Sequence, residues 1–518
     1  MRFTQGLHRA VQQRPDQAAT ICGGRRRTFR ELEQRVSRLA GALRQQGIHE
    51  GDRVAILGLN SDHYLEYYLA VPWIGAVVNP VNFRWSLAEI IYSLNDSQSV
   101  ALFIDEHYSE HIDALLDGCP YLRCVVFCGE GPCPEYAKDL ESLIGGTDPI
   151  ADTELDADEL FGVFYTGGTT GAPKGVMLTH RNVCASGMGL LVEGLFGDGA
   201  IGLHAAPMFH LADMMMSTCL LLHGGTHVIL PAFKPELALQ AIAEHHVTDL
   251  LLVPAMVQAL VDHPRLRDYE LGSVQHLLYG ASPASETLID RAMQALPCAS
   301  FFQAFGMTEL AATATVLPPA QHLPAARAKG RLRSAGRGAC HVQVRVVDGE
   351  DRELPRGEIG ELVVRGPNVM LGYLNKPEAT AAALKGGWMH TGDMAAMDEE
   401  GYVTIVDRLK DMIISGGENV YCTEVENAIA RHPAVAACAV IGIPSQEWGE
   451  LVHAAIVLRP GESLSQEALH AHCKALIAGY KCPRSMEIRE ALPLSGAGKV
   501  LKTELRKPHW EGQTRAVN

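Results

Sequence analysis

The sequence predicts an α/β fold in which strands and helices alternate along most of the chain and form substantial parallel sheet. The first observation is a capping box, because Thr28 and Glu31 have the spacing that starts a helix. That helix carries apolar residues at helical spacing until Gly47 ends it, namely Leu32, Val36, Leu39 and Leu43. The second observation is a series of short apolar runs typical of buried strands, at 54–57, 160–164, 248–253 and 274–279. The last run precedes a helical pattern over 288–296, so the alternation continues.

The pattern changes twice toward the C-terminus. Short strands around a turn at 348–351 predict an antiparallel element over about 343–365. After 408–411, Thr423 with Glu426 predicts a helix start, 435–443 predicts a strand and 466–477 a second helix. The sequence therefore predicts a large N-terminal α/β domain over 1–409 and a small α+β domain over 410–518, with a boundary that depends on the change of pattern alone.

Composition limits the function. The chain has 518 residues, 47% of them hydrophobic, and a formal net charge of −16, which favours a globular protein with a large core and argues against a nucleic-acid partner. The basic run 25–27 is interpreted as a solvated hairpin. The N-terminus lacks the apolar core of a signal peptide, and the uncharged apolar run 214–222 is far shorter than the roughly 20 residues of a membrane helix. We therefore expect a cytoplasmic protein without an integral membrane segment.

Thirteen cysteines are scattered along the chain, apart from a group at 119, 124, 128 and 133. That group suggests zinc, but it contains no C-x-x-C pair, and Cys124 and Cys128 lie in or beside a strand-like apolar stretch. Free thiols in a reducing compartment are the favoured interpretation.

The loop from Tyr165 to Gly175 has the composition of a phosphate cradle. Its glycines at 167, 168, 171 and 175 allow backbone amides to point inward at an anion. The loop also supplies hydroxyl donors and one positive charge, from Thr166, Thr169, Thr170 and Lys174. It is not a Walker motif, because proline precedes the lysine and glycine follows it. An oxyanion such as a nucleoside triphosphate is the expected ligand.

Further motifs follow this loop in a fixed order. They are Pro-Met-Phe-His at 207–210, Gln-Ala-Phe-Gly-Met-Thr-Glu at 303–309, the segments 360–366, 372–373 and 388–393, the run 407–421, and Gly-Ala-Gly-Lys at 496–499. Together with the phosphate loop, this series resembles the acyl-adenylate-forming superfamily, particularly the acyl-CoA synthetases. The resemblance spans nearly the whole chain. It implies a barrel-like antiparallel element and a mobile C-terminal domain.

The resemblance also implies a reaction. A carboxylic acid and ATP give an acyl-adenylate and pyrophosphate, and the thiol of coenzyme A then takes the acyl group and releases AMP. Mg²⁺ would be held by Glu309 and Thr170, since magnesium prefers carboxylate, phosphate and water oxygens. The family's catalytic lysine matches Lys499, and its hinge position matches Lys410. A ribose carboxylate matches Asp393, with Arg408 near the ribose and phosphate.

The remaining implied sites fall into four sets. The phosphates would contact Thr166, Gly167, Gly168, Thr169, Thr170 and Lys174. The adenine region would comprise Gly280, Ala281, Ser282, Gln303, Phe305, Gly306 and Thr308. The pantetheine tunnel of coenzyme A would pass Gly416 and Gly417. The acyl pocket would include His210, Leu211, Asp213, Met214 and Met215, with Lys499, Lys174, His210 and Thr166 as the catalytic set.

Several alternatives stay open. The acid is expected to be apolar, fatty or aryl, but chain length and aromaticity are not determined. The acceptor could be a separate carrier-protein thiol in place of coenzyme A, and a luciferase-like oxidative second step or a binding-only module is disfavoured. Oligomeric state is invisible in the sequence, with a homodimer left open. The chain departs from the family pattern at Gly167, Phe305, Cys422 and Leu494, which affects specificity and rate but removes no required group.

Overall fold

A computed structural model of the protein describes residues 1–166, 173–282, 284–408, 411–415, 418–445, 447–494 and 500–511, and of Arg408 the backbone alone. The helices of these residues are α1 Gln5–Gln13, α2 Phe29–Gln45, α3 Asp62–Trp73, α4 Leu87–Asp96, α5 Ile112–Gly118, α6 Leu140–Gly145, α7 His180–Val192, α8 Leu211–His223, α9 Pro235–His245, α10 Pro254–Val261, α11 Glu286–Ala295, α12 Pro324–Arg327, α13 Pro377–Ala383, α14 Cys422–Ile429, α15 Gln466–Lys474 and α16 Lys502–Trp510. Their strands are β1 Ala18–Cys22, β2 Arg25–Thr28, β3 Arg53–Leu57, β4 Val77–Pro80, β5 Ala101–Ile104, β6 Cys124–Phe127, β7 Lys138–Asp139, β8 Leu160–Thr166, β9 Lys174–Thr179, β10 Ile201–His204, β11 Thr226–Ile229, β12 Asp249–Leu252, β13 His276–Gly280, β14 Ser300–Phe305, β15 Thr315–Leu317, β16 Arg337–Gly338, β17 Gln343–Val347, β18 Ile359–Arg365, β19 Gly372–Tyr373, β20 Met389–Met397, β21 Val403–Arg408, β22 Ile413–Ser415, β23 Glu418–Val420, β24 Val435–Ser445, β25 Gly449–Leu458 and β26 Ser485–Ile488. None of these helices is long and apolar enough to cross a membrane.

The first sheet has the strand order β16-β15-β14-β13-β12-β10-β11-β1-β2. The strands from β14 to β1 pair in parallel, so their carboxyl ends lie along one edge of the sheet. β11 and β12 are buried along their whole length, as is typical of parallel strands with both faces covered. The apolar runs at 248–253 and 274–279 form β12 and β13, which confirms those predictions.

The second sheet has the order β19-β9-β8-β4-β3-β5-β6-β7. The strands from β8 to β7 are parallel, whereas β9 returns antiparallel to β8. The predicted strands at 54–57 and 160–164 lie in β3 and β8. Thr166 and Lys174 are register partners at the end of the β8–β9 pair, so this pair holds both ends of the predicted phosphate loop.

Helix α2 forms as its sequence predicts. The Thr28 hydroxyl accepts from the Glu31 amide at 3.2 Å, and the Glu31 carboxylate accepts from the Thr28 amide at 2.7 Å. The apolar positions of its helical pattern are fully buried, namely Leu32, Val36, Leu39 and Leu43. The capping box and the periodicity therefore agree on where the helix begins and which face it buries.

The basic run 25–27 forms β2, which pairs with β1 as the expected hairpin. The prediction that solvent surrounds its charges is correct for the exposed Arg26 but wrong for Arg25 and Arg27, which pair with a buried carboxylate. Asp62 and Glu66 lie one turn apart on α3 and are 1% and 0% exposed. Arg25 donates to Asp62 at 2.8 Å, Arg27 pairs with Asp62, and Arg35 donates to Glu66 at 2.5 Å. Buried carboxylates need such partners because an unpaired buried charge is strongly destabilising.

Packing divides the chain into two units, one with 1–332, 336–343 and 364–389, the other with 333–335, 344–363 and 390–518. The first and second sheets belong to the first unit. The second unit contains most of the third sheet, in the order β17-β18-β20-β21, and the fourth sheet, β23-β22-β25-β24, with β26 parallel to β25. The large α/β part and the smaller α+β part agree with the predicted fold class. The predicted boundary at 409/410 lies outside the described residues and stays a prediction.

Most elements of the second unit match their sequence patterns. The predicted strand 435–443 lies in β24, and the predicted helix at 466 begins α15. Helix α14 begins one residue before Thr423, with Tyr421 as an N-cap that makes no side-chain bond. The predicted capping box is wrong because the Glu426 carboxylate accepts from the Val440 amide at 2.8 Å and pairs with Lys502 at 2.8 Å.

Candidate active site

The carboxyl ends of β13 and β14 bring together the residues predicted to bind adenine. Gly280 pairs with Ala304, and Tyr279 with Gln303, so the segments 280–282 and 303–306 leave the sheet side by side. A Cβ atom on Gly280 would lie 2.2 Å from the Ala304 carbonyl oxygen, so only glycine allows this close approach. Ala281 follows with φ +64°. In open α/β sheets such an edge is the usual place for a ligand.

The chain turns sharply after β14 and directs Glu309 into the protein. A Cβ atom on Gly306 would lie 1.8 Å from the Ala312 carbonyl oxygen, and the 3₁₀ turn Thr308–Leu310 follows. Glu309 is 7% exposed, and its Oε1 accepts a 2.8 Å hydrogen bond from Tyr373 Oη. Burial and the neighbouring charge of Glu309 raise the pKa of Tyr373, so the phenol keeps its proton and donates. An oriented, buried carboxylate fits the donor set that Mg²⁺ prefers.

Tyr373 also contacts the predicted phosphate lysine. Lys174 Nζ lies 4.8 Å from the centre of the Tyr373 ring, a cation–π distance. Tyr373 reaches both groups because β19 pairs with β9, with Tyr373 opposite Val176. In the sequence, 372–373 belongs to a motif that indicates no particular role for Tyr373. The pairing between distant strands, which no local pattern shows, creates its contacts.

The start of the phosphate loop is anchored by Tyr165. Its Oη donates to Asp96 Oδ2 at 2.7 Å, and its ring packs edge-on against Trp85 at 6.4 Å. Burial first, and then the bond to Asp96, raise the pKa of Tyr165. The contacts of Tyr165 therefore fix the end of the β8–β9 ladder at which Thr166 and Lys174 lie.

The segment between β10 and α8 carries the predicted acyl motif. His210 is the N-cap of α8, and its Nδ1 accepts from the Ala212 amide at 3.2 Å. This bond fixes the ring at the start of the helix. Phe209 lies edge-on to His210, with ring centroids 6.4 Å apart, and to Phe83 at 5.2 Å.

Two buried side chains hold this segment in place. Asn60 Nδ2 donates to the Ala206 carbonyl at 2.8 Å, while its Oδ1 accepts from the Met208 amide at 2.7 Å. Tyr68 Oη donates to the Met208 carbonyl at 2.7 Å. Neither residue is evident from the sequence, because an asparagine after a strand is an ordinary turn signal and Tyr68 lies in a helix that is buried on all sides and has no amphipathic pattern.

Downstream, the predicted acyl residues lie in the core. Leu211, Met214 and Met215 are at most 3% exposed. Asp213 is fully buried and lies 2.7 Å from His204 Nδ1, whose Nε2 lies 2.9 Å from His227 Nδ1. Burial raises the pKa of Asp213. The carboxylate is therefore engaged in a buried polar chain, and the acyl role of these residues stays a prediction.

In the second unit, β20 and β21 make Asp393 and Arg408 register partners. The preceding turn is fixed, because Thr391 Oγ1 donates to the Leu362 carbonyl at 2.7 Å and the Gly392 amide donates to Glu361 at 2.9 Å. The ladder thus brings together the predicted ribose carboxylate and the backbone of the predicted phosphate cation. The other predicted residues lie outside the described part of the chain, namely Gly167, Gly168, Thr169, Thr170, Lys410, Gly416, Gly417 and Lys499.

Comparison with known proteins gives consistent matches over nearly the whole chain. Residues 7–374 match the family model described as AMP-binding enzyme, and 424–499 match the AMP-binding enzyme C-terminal domain. A feruloyl-CoA synthase from Amycolatopsis sp. is 41% identical over 501 residues, 96% of this chain and 97% of that protein. The fatty acid–[acyl-carrier-protein] ligase ScoC from Streptomyces coeruleorubidus is 36% identical over 98% of this chain and 96% of its own length. The structure of ATP-bound MatB from Rhodopseudomonas palustris is 30% identical, with a TM-score of 0.88 and coverage of 98% and 99% of the two chains.

Proposed function

Because this chain belongs to the AMP-binding enzyme family and is an AMP-forming carboxylic acid:CoA ligase, we propose that its acid is an aryl acid of the ferulic type. The observation that carries this choice is the 41% identity to a feruloyl-CoA synthase over 96% of the chain. The aromatic side chains next to His210 support it, since Phe209 lies edge-on to His210 and Phe83 lies edge-on to Phe209, and flat aryl groups pack well on aromatic edges.

In the first half-reaction, a carboxylate oxygen attacks the α-phosphorus of ATP, pyrophosphate leaves and an acyl-adenylate forms. We assign Thr166, Lys174 and the loop between them to the phosphates, where preorganised donors stabilise the departing pyrophosphate. Glu309 and Thr170 would hold Mg²⁺, which supplies positive charge to the phosphate oxygens. Lys499 would approach the attacking carboxylate.

The base and the ribose of the nucleotide would contact different sets of residues. The adenine lies against 280–282 and 303–306, where Phe305 offers a stacking ring and Gln303 an amide. Asp393 accepts hydrogen bonds from the ribose hydroxyls, and Arg408 supplies a cation near ribose and phosphate. Thr308 completes this set of nucleotide contacts.

In the second half-reaction, the thiol of coenzyme A attacks the acyl carbon and AMP leaves. His210, fixed at the N-terminus of α8, would lie between the acyl group and the arriving thiol. Gly416 and Gly417 would line the pantetheine tunnel, and Lys410 would be the hinge between the two half-reactions. Because ATP and coenzyme A are cytoplasmic metabolites, the cytoplasm is the proposed location. The proposed half-reactions neither require nor exclude a homodimer.

The test is an acid panel with ATP, Mg²⁺ and coenzyme A, scored by release of AMP and pyrophosphate. Ferulic acid and its ring-substituted relatives should give the highest kcat/KM, and saturated fatty acids a lower one. A preference for fatty acids would overturn the aryl proposal while leaving the ligase activity intact. The absence of thioester with every acid would overturn the acid–CoA assignment itself.

A second candidate acceptor is a carrier-protein thiol, favoured by the 36% identity to a fatty acid–[acyl-carrier-protein] ligase. Supplying phosphopantetheinyl carrier protein and coenzyme A side by side distinguishes the two acceptors. Faster acyl transfer to the carrier than to coenzyme A would select this alternative.

A further inference from the structure

Three side chains that could bind a metal ion meet in the second unit, and none of them is assigned to the reaction. They are His453 of β25, Glu487 of β26 and His509 of α16, and one ligand atom of each lies within 4.8 Å of the others. The two histidine rings have centroids 5.1 Å apart. Nothing in the acyl-adenylate chemistry requires this cluster.

The pairing of β25 with β26 explains how two of the ligands meet. The strands run parallel, with His453 opposite Ser485 and Ala455 opposite Glu487. Alternate residues of a strand share one face, so His453 and Glu487 project from the same side of the sheet. The register of the two strands, and not closeness in the sequence, therefore brings His453 and Glu487 together.

Helix α16 brings the third ligand to the same face. Leu505 is fully buried in a cluster with Ala439, Ile441 and Ala455 of the sheet. His509 lies four residues after Leu505, on the same side of the helix. Trp510 Nε1 also donates to the Gly442 carbonyl at 2.9 Å, so the end of α16 that carries His509 is held against the sheet.

The hydrogen bonding of His453 leaves one ring nitrogen that can bind a metal ion. It is 4% exposed, its Nδ1 lies 2.8 Å from Ser485 Oγ, and its Nε2 has no hydrogen-bond partner among the described residues. Glu487 Oε1 is 3.9 Å from that nitrogen, too far for a hydrogen bond. With Nδ1–H donating to Ser485, the lone pair of Nε2 points at the cluster, as in many metal sites.

The Glu487 carboxylate also has an oxygen that can bind a metal ion. Its Oε1 accepts a 2.6 Å hydrogen bond from Arg489 Nε. A carboxylate has two oxygens, so it can keep Arg489 and bind an ion at the same time. The guanidinium also places a positive charge close by, which limits the affinity for a cation.

We propose that His453, Glu487 and His509 bind one divalent transition-metal ion of the Zn²⁺ class, with water in the fourth position. Two imidazoles and one carboxylate are a ligand set that Zn²⁺ accepts, whereas Mg²⁺ and Ca²⁺ prefer oxygen ligands. Ligand atoms of a tetrahedral site with bonds of about 2.1 Å lie about 3.4 Å apart. The half-buried side chains of Glu487 and His509 can close the difference by small rotations.

An ion at this site would connect both ends of the segment 488–508 to β25. This segment contains Lys499, the predicted catalytic residue. A ligand that binds only the folded state raises stability in proportion to its occupancy, so the metal would stabilise the docked position of α16. The proposal concerns metal binding alone and stands whether or not the acid assignment is correct.

The experiment uses the full-length protein after chelator treatment and dialysis against Zn²⁺. We expect wild type to retain one more Zn²⁺ per chain than His509→Gln, and Zn²⁺ to raise the Tm of wild type by more than that of the variant. Ser485→Ala should weaken binding about 10- to 100-fold, as expected when the partner of a metal-bound histidine is lost. His470→Gln, a histidine of the same unit outside the cluster, is the matched control and should behave as wild type.

Substitution with Co²⁺ distinguishes this site from the cysteines. The proposed site should give the visible absorption of tetrahedral Co²⁺ with nitrogen and oxygen ligands, without the near-ultraviolet band of a cobalt–thiolate bond. Glu487→Gln, which changes no histidine, should also reduce the signal and covers the case in which His509→Gln fails to fold. Equal metal content and equal spectra in wild type, His509→Gln and Glu487→Gln would overturn the proposal, as would an equal loss in His470→Gln.

Discussion

Tyr373 contacts two charged groups of the candidate site with different parts of one side chain. Its hydroxyl donates to the buried Glu309 carboxylate at 2.8 Å, and its ring lies 4.8 Å from Lys174 Nζ. A hydrogen bond to a charged group contributes about 1.5–3 kcal/mol, and a cation–π contact about 0.5–2 kcal/mol. The phenol therefore orients the proposed magnesium ligand while the ring positions the proposed phosphate lysine.

Tyr373→Phe separates these two contributions because it removes the hydroxyl and keeps the ring. We expect adenylation to slow about tenfold or more and to need a higher Mg²⁺ concentration, since Glu309 loses its donor. Tyr373→Leu should slow the reaction further and raise KM for ATP. Pyrophosphate release measured against Mg²⁺ and ATP checks both effects, with the exposed Tyr136→Phe as control. An unchanged Mg²⁺ dependence in Tyr373→Phe would contradict the role of the hydroxyl.

Asn60 fixes the acyl motif through two backbone groups at once. Asn60→Ala leaves the Ala206 carbonyl and the Met208 amide without their partner in a buried place, which costs about 1–3 kcal/mol for each unsatisfied group. Asn60→Asp keeps the acceptor for Met208 but removes the donor for Ala206. We expect both variants to lower the midpoint of urea unfolding and to raise KM for the acid more than KM for ATP. Equal changes in the two KM values would show a general loss of stability in place of a local effect on the acyl segment.

At the scale of elements, sequence patterns predicted those helices and strands that depend on interactions between residues close together in the chain. The capping box and periodicity gave α2, and short apolar runs gave β3, β12 and β13. The predicted start of α14 at Thr423 was wrong because the Glu426 carboxylate bonds to Val440 and Lys502, which are not its neighbours in the sequence. The motifs located Glu309 and Lys174 in the sequence, but the Tyr373 contact depends on β19 pairing with β9. Long-range pairing of this kind leaves no periodic signal, so the environment of the site was not predictable.

Helix α7 carries a buried histidine that should make stability depend on pH. His180 is 2% exposed, its Nδ1 accepts from the Phe3 amide at 3.2 Å, and burial lowers its pKa from 6.5 to about 4. Between these pH values the unfolded chain binds a proton that the folded chain does not, so the free energy of unfolding decreases as pH falls from about 6.5 to about 4. A shift of this size corresponds to roughly 3 kcal/mol.

His180→Asn tests this assignment because asparagine keeps an acceptor near the position of Nδ1 and does not titrate. Urea unfolding at several pH values from 4 to 7 should show a smaller loss of stability in the variant than in wild type. The control is His246→Asn, since His246 is exposed with φ +51°, a conformation that asparagine tolerates. The same pH slope in wild type and His180→Asn would place the titration on another group.

At the scale of the whole molecule, the protein must bind anionic substrates although its own net charge is negative. The chain carries a net charge of −16, while ATP, coenzyme A and the carboxylic acid are all anions. The long-range field therefore repels every substrate, and individual cations must supply the attraction locally. Lys174 lies in the first unit and Lys499 belongs by sequence to the second, so the proposed first half-reaction uses one cation from each unit.

Lys499→Ala should therefore separate the two half-reactions. Loss of an ammonium that stabilises charge in the transition state typically costs on the order of 10²- to 10³-fold, so pyrophosphate release from ATP and acid should fall by that factor. Thioester formation from chemically supplied acyl-adenylate and coenzyme A should stay near the wild-type rate, because the carboxylate is already activated and its charge is gone. The control is Lys474→Ala, an exposed lysine of the same unit, which should alter neither step. Equal losses in both half-reactions would mean that Lys499 supports the fold of the second unit, and an unchanged adenylation rate would remove it from the catalytic set.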